Sequence, residues 1–128
     1  MSDPVLDASA LLAWLNGEPD AGPVAEVLVT GAAISSVNLS EVIAKLVDAD
    51  GAERKIREVL DSLDLDVETF DRDDVYETGI LRPATLALSL SLGDRACLAL
   101  GARLAQPVMT ADRSWADVKL GVEVVLIR

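Results

Sequence analysis

The sequence predicts an α/β fold built on a mainly parallel sheet. Two observations carry this expectation. Short apolar runs alternate along the chain with segments of helical periodicity, the pattern of strands joined through covering helices. Hydrophobic residues make up 51% of the chain but aromatic residues only 3%, so the core must be layered from Ala, Leu and Val rather than filled by large rings. Strands that alternate with helices pair in parallel and are covered on both faces. At 128 residues the chain has the length of one domain and can bury a core without staples. No repeat, low-complexity tract or long linker divides it, so residues 1–128 are expected to form a single domain.

Val5 to Asp7 is a short apolar run ending in a carboxylate. Ser9 is suited to cap a helix through about Asn16, with Gly17 as its stop. A second short helix is predicted near Ala21 to Val29. Ala32 to Val37 then reads as a buried strand that hands over to Asn38, a favoured N-cap. The clearest helix follows: Leu39, Val42, Ile43, Leu46 and Val47 share one stripe, while Glu41, Lys45 and Asp48 lie on another. Ile56, Val59, Leu60 and Leu63 repeat that spacing. Leu65 to Phe70 alternates as a strand, and Asp71 to Leu81 opens with acids suited to a helix N-terminus.

Leu86 to Leu92 alternates leucine with small residues, which by period alone is a strand. Its position just before Gly93 and Asp94 equally fits a buried helix end or an ordered connection. From Asp94 a nearly all-apolar helix runs through Leu104. A strand over Pro107 to Thr110, a turn into a helical turn over Ala111 to Trp115, and a closing strand over Val122 to Ile127 complete the series.

The inventory of reactive groups narrows the chemistry. The chain has no histidine and one cysteine, Cys97, which excludes Ser-His-Asp triads, Cys-His pairs, disulfides within the chain and cysteine or histidine zinc sites. Catalysis must run on carboxylates, hydroxyls, Lys and Arg. No apolar run approaches the roughly 20 residues that span a bilayer, and the N-terminus lacks a signal-peptide charge pattern; a cytoplasmic protein without membrane association is expected. The net charge of -11 opposes binding to phosphate backbones unless bound cations cancel part of it.

Parallel sheets place ligands beyond the carboxyl ends of strands; three of four candidate acids fall there directly, and the fourth, Asp94, can project from the same edge. Asp7 ends the first strand, Asp112 follows the strand ending at Thr110, Glu41 lies early in the helix after the second strand, and Asp94 opens the late apolar helix. Such a cluster repels itself unless a cation sits within it. Mg²⁺ or Mn²⁺ takes oxygen ligands and retains water, so a few carboxylates suffice. Held there, such ions can orient a phosphodiester and activate water without histidine.

Each acid also has a local role open to it. Asp7 can satisfy turn amides. Asn38-Leu39-Ser40-Glu41 has capping-box spacing, and Glu41 stands four residues before Lys45. Asp94 and Asp112 can each cap the helical segment that follows. Arg95 and Arg113 directly follow two of the acids and can face phosphate from the pocket rim, or solvent. Arg54, Lys55 and Arg57 form the densest basic patch, as on a solvated helix face. Cys97 reads as a core residue, and Trp14 and Trp115 as partly buried.

Four segments together are similar to the PIN-domain ribonucleases, specifically the VapC-type toxins of bacterial toxin-antitoxin pairs. They are Val5-Leu6-Asp7-Ala8-Ser9-Ala10-Leu11-Leu12, Ser36-Val37-Asn38-Leu39-Ser40-Glu41-Val42, the stretch from Leu90 to Leu100 containing Gly93-Asp94-Arg95, and Val108-Met109-Thr110-Ala111-Asp112-Arg113. They come in order across nearly the whole length. The resemblance implies a three-layer α/β/α sandwich on a five-stranded, mainly parallel sheet. It also implies Mg²⁺- or Mn²⁺-dependent endonucleolytic cleavage of RNA. Asp7 and Asp94 would be direct ligands, Glu41 and Asp112 would complete the site, and Ser9 and Thr110 would support it, with Asp117 as a further acid or a surface residue. A homodimer and a VapB-type antitoxin whose C-terminal segment covers a helical groove and obstructs the acidic pocket are implied as well. Two other classes compete: a PIN-fold protein-binding module without significant nuclease activity, and a phospho-acceptor receiver-like domain. The latter needs adjacent acids near the first strand and a lysine after a late one; Asp3 with Asp7, and Asp112 after Thr110, supply neither.

Overall fold

The computed structural model describes residues 3–128. Five parallel strands form one sheet in the order β3-β2-β1-β4-β5: β1 (Val5–Leu6), β2 (Ala32–Ser35), β3 (Leu65–Glu68), β4 (Val108–Thr110) and β5 (Val124–Leu126). Seven α-helices cover it: α1 (Ala8–Leu15), α2 (Gly22–Thr30), α3 (Ser36–Asp48), α4 (Glu53–Ser62), α5 (Arg72–Ile80), α6 (Arg82–Thr85) and α7 (Leu92–Leu104). The α/β/α expectation and the parallel sheet are borne out.

The sheet separates two apolar layers because side chains alternate along each strand. Leu6, Ile34 and Met109 turn to one face, where Leu11, Val24, Val42 and Leu60 of α1 to α4 pack on them. Val5, Ala33 and Val108 turn to the other and meet Leu98 and Leu100 of α7 together with Trp115. β1 is therefore buried on both sides, as a central parallel strand must be. The second layer is thin at one point: a Cβ at Gly101 would lie 2.5 Å from Val108 Cγ1. Only glycine lets α7 approach β4 this closely, and that approach carries the start of α7 to the strand ends.

Two local expectations need correction, and one open choice is decided. β2 stops at Ser35, which caps α3 by accepting from Val37 N at 3.2 Å; Asn38 lies inside the helix and is not its cap. The helix starts earlier because a serine hydroxyl is as effective a cap as asparagine. Leu86–Leu88 is a short 3-10 helix, so the strand that period alone offers is set aside and the connection ahead of Gly93 and Asp94, held open beside it, is what forms. The apolar stripe of α3 is only partly covered: Val42 is fully buried, but Ile43 and Val47 are 38% and 54% exposed. With Ile56 and Leu60 of α4 they line an open groove of about 380 Å³.

Candidate active site

Asp7 sits immediately beyond β1 and is only 4% exposed. A carboxylate survives there because donors converge on it. Its Oδ1 accepts from Ala10 N at 2.8 Å and so caps α1. Ser9 Oγ donates to the same carboxylate at 2.8 Å, and Thr110 Oγ1 donates to Oδ2 at 2.5 Å. These two hydroxyls are themselves held: Ala111 N donates to Ser9 Oγ at 2.9 Å and Asp112 N to Thr110 Oγ1 at 3.0 Å. The ends of β1 and β4 are thus knitted into one polar unit around Asp7. Burial pushes the Asp7 pKa up to about 6; the bonds from Thr110, Ala10 and Ser9 oppose the rise, and the charge of Asp94 adds to it.

Glu41 projects from α3 across the start of α7. Asn38 Nδ2 donates to Glu41 Oε1 at 2.8 Å and to the Gly93 carbonyl at 2.9 Å. Asp94, the next residue, forms a capping box with Ser91: its Oδ2 accepts from Ser91 N at 2.9 Å, and Ser91 Oγ accepts from Asp94 N at 3.2 Å. One turn further on, Cys97 is fully buried. Its thiol is pushed well up, chiefly by burial and then by the charges of Asp7, Asp94 and Glu41.

Asp112 stands apart from this trio. Its Oδ1 accepts from Ser114 N at 2.9 Å and Ser114 Oγ at 2.8 Å, capping the 3-10 turn Arg113–Asp117 on the exposed rim. It is tied to Asp7 only through the backbone N–H that reaches Thr110. Asp117 and Arg113 are exposed on the same turn. Arg95 does not face the pocket: it is buried, and Nη1 donates to the Thr78 carbonyl of α5 at 3.0 Å. Arg54 and Arg57 pair with Glu58 and Glu53 on the exposed face of α4, which leaves little of that basic patch for a ligand. No ion pair joins Glu41 to Lys45 among the described residues.

The donors available to a cation are carboxylate oxygens of Asp7, Glu41 and Asp94, hard ligands that suit Mg²⁺ or Mn²⁺. Among the described residues no three acidic or thiol side chains are drawn together as a ready ligand set. Asp94 and Glu41 are each engaged by a local donor, and like charges favour that separation. Two positions in contact with Glu41 were not singled out by the sequence. Asn38 was assigned to helix capping, and Gly93 was noted only as part of a motif, although the three-residue step from Asn38 to Glu41 is the signal that links them.

The PIN-domain family matches the chain over residues 5–120. The chain is a PIN domain. Solved structures agree on the fold of this PIN domain. A toxin-antitoxin complex from Klebsiella pneumoniae superposes with a TM-score of 0.76 at 20% identity, covering 98% of both chains. A DNA-bound VapBC from Salmonella typhimurium gives 0.77 at 18% identity over 100% of both chains. A VapBC-family member from Mycobacterium tuberculosis gives 0.64 at 23% identity over 98% of this chain and 99% of that one. At these identities the likeness is one of fold. Among curated proteins none matches the chain in sequence.

Proposed function

We propose that this chain, acting as a single PIN domain, is a divalent-metal-dependent endoribonuclease and the toxin of a toxin-antitoxin pair. The observation that carries the proposal is the buried Asp7 at the end of β1, oriented by Ser9 and Thr110, and support comes from Glu41, which lies against Gly93 next to Asp94 at the start of α7. Their all-oxygen donor set fits Mg²⁺ or Mn²⁺. When bound, such an ion supplies charge stabilisation to a phosphodiester and lowers the pKa of water. Asp7 and Asp94 would be its direct ligands, Glu41 would complete the set, and Asp112 would contribute from the rim. Ser9 and Thr110 fix the direction of the Asp7 oxygens, so that little reorganisation is needed on binding. Arg113 beside Asp112 offers a cation to the RNA backbone. Each divalent ion also cancels two charges of the net -11 that otherwise repels phosphate.

Purified protein freed of its antitoxin should cut RNA with Mg²⁺ or Mn²⁺ and fall silent in chelator. Wild-type rates from Asp7→Asn would remove the site from consideration. The engagement of Asp94 by Ser91 and of Asp112 by Ser114 supports a second reading, a PIN-fold binding module without significant nuclease activity. Calorimetry separates the two. Absence of Mn²⁺ binding together with normal antitoxin affinity favours the module.

The antitoxin segment would lie in the groove between α3 and α4, where the exposed Ile43 and Val47 are poor in any other role. Val47→Asp should leave folding unchanged and weaken antitoxin binding by roughly 10- to 100-fold, the scale of a central apolar contact; unchanged affinity would move the antitoxin elsewhere. A homodimer would cover Tyr76 and Ile80, one turn apart on α5 and 59% and 69% exposed. Ile80→Asp should shift the protein to monomer in sedimentation. A dimer that persists would point to another face.

A further inference from the structure

We infer that Asn38, supported by the missing side chain at Gly93, is a positioning residue that presents the Glu41 carboxylate to the proposed metal site. This rests on the metal-site reading above and adds to it a residue that touches neither metal nor substrate. Asn38 is 1% exposed. Both of its partners, a carboxylate oxygen and a backbone carbonyl, can only accept, so the amide NH₂ must face them and uses its two hydrogens on them. The amide oxygen is then left buried without a donor. A residue retained for stability would not carry an orphaned acceptor when leucine of similar shape avoids it. The two donated bonds explain the choice: they hold Glu41 against the start of α7, beside Asp94.

Gly93 completes the arrangement. A Cβ there would lie 2.6 Å from Glu41 Cδ, and the three atoms nearest to it all belong to the Glu41 carboxylate. Gly93 lies inside α7 with a negative backbone φ. The position therefore needs glycine for the neighbouring carboxylate and not for its own conformation. Asn38 pulls Glu41 inward, and Gly93 leaves the room it occupies.

The test uses the full chain, Mn²⁺ as the probe without RNA, and thermal unfolding of the metal-free protein. Asn38→Leu and Gly93→Ala should each lower Mn²⁺ affinity by about 10- to 100-fold, the effect of losing a residue that orients a ligand. Gly93→Ala should unfold no earlier than wild type, because alanine favours the helix. In a Glu41→Ala background, Asn38→Leu should change Mn²⁺ affinity no further, which a general loss of packing would not reproduce. If wild type binds Mn²⁺ and both variants bind it equally well, the positioning role is overturned while the metal site stands. Should Asn38→Leu fail to fold, Gly93→Ala decides alone, and wild-type affinity in it overturns the inference. If wild type binds no Mn²⁺, the metal-site reading itself fails, and this inference falls with it.

Discussion

Asp7→Asn should stabilise the metal-free protein and at the same time remove its Mn²⁺ binding and RNA cleavage. The two effects have one cause. Burial raises the Asp7 pKa from 3.8 to about 6, so at neutral pH the folded chain holds a charge that the interior disfavours by up to about 3 kcal/mol. Asparagine removes that charge and keeps an oxygen for Ala10 N. Protonated Asp7 is the form the fold prefers. Its stabilisation is therefore fully present below pH about 4, where the unfolded chain also keeps its proton, and is lost as pH climbs through about 6. Chemical denaturation at several pH values should show wild type losing stability over that window relative to Asp7→Asn. A constant difference between the two proteins would refute the burial argument. Mn²⁺ should raise the unfolding temperature of wild type and not of the variant, by ordinary linkage. Loss of a ligand that supports several kcal/mol of charge stabilisation should slow cleavage at least about a hundredfold.

Trp115→Ala should be the most damaging single truncation in the second apolar layer, costing about 3–5 kcal/mol. Trp115 is fully buried, the largest such side chain, between β4, α7 and the closing segment. Domains of this size have only about 5–15 kcal/mol to lose, so the variant should sit near its unfolding midpoint at modest urea. Trp115→Phe should be far milder. The indole N–H has no acceptor among the described residues, and replacing it with a ring that lacks a donor removes that unsatisfied group along with part of the volume. Equal urea midpoints for the Phe and Ala variants would contradict this account. Trp115 also ties the turn that carries Asp112 through its backbone, whose N–H donates to the Asp112 carbonyl at 3.2 Å.

Much of the fold was legible in the chain because period and caps are local signals. The α7 helix, the acids that open α5 and the order of strands and helices were legible from local pattern; the capping box that Asp71 forms with Asp74 was not named by it. The errors fell where two local solutions are nearly equal in energy. Ser35 and Asn38 are both good caps, and which one starts α3 depends on where β2 leaves the sheet. The stripe of α3 has the spacing of a buried face, yet Ile43 and Val47 remain outside because α4 covers only part of it. The site divides in the same way. Asp7 announced itself as a carboxylate ending an apolar strand, whereas Arg95 beside Asp94 looked like a rim cation and is instead packed on α5, since helix phase sends adjacent residues in different directions.

The acidic cluster was determined by the sequence in its chemistry: without histidine and with one buried cysteine, only oxygen ligands were available, and their positions after strands directed them to one edge. The tertiary structure decided their rank. It buried Asp7 under the hydroxyls of Ser9 and Thr110, set Glu41 against Gly93 next to Asp94, held Asp112 out on the rim through Ser114, and supplied Asn38 as the donor to Glu41. Those distinctions depend on contacts between residues far apart in the chain, 103 positions in the case of Asp7 and Thr110, and no local pattern in the chain encodes them.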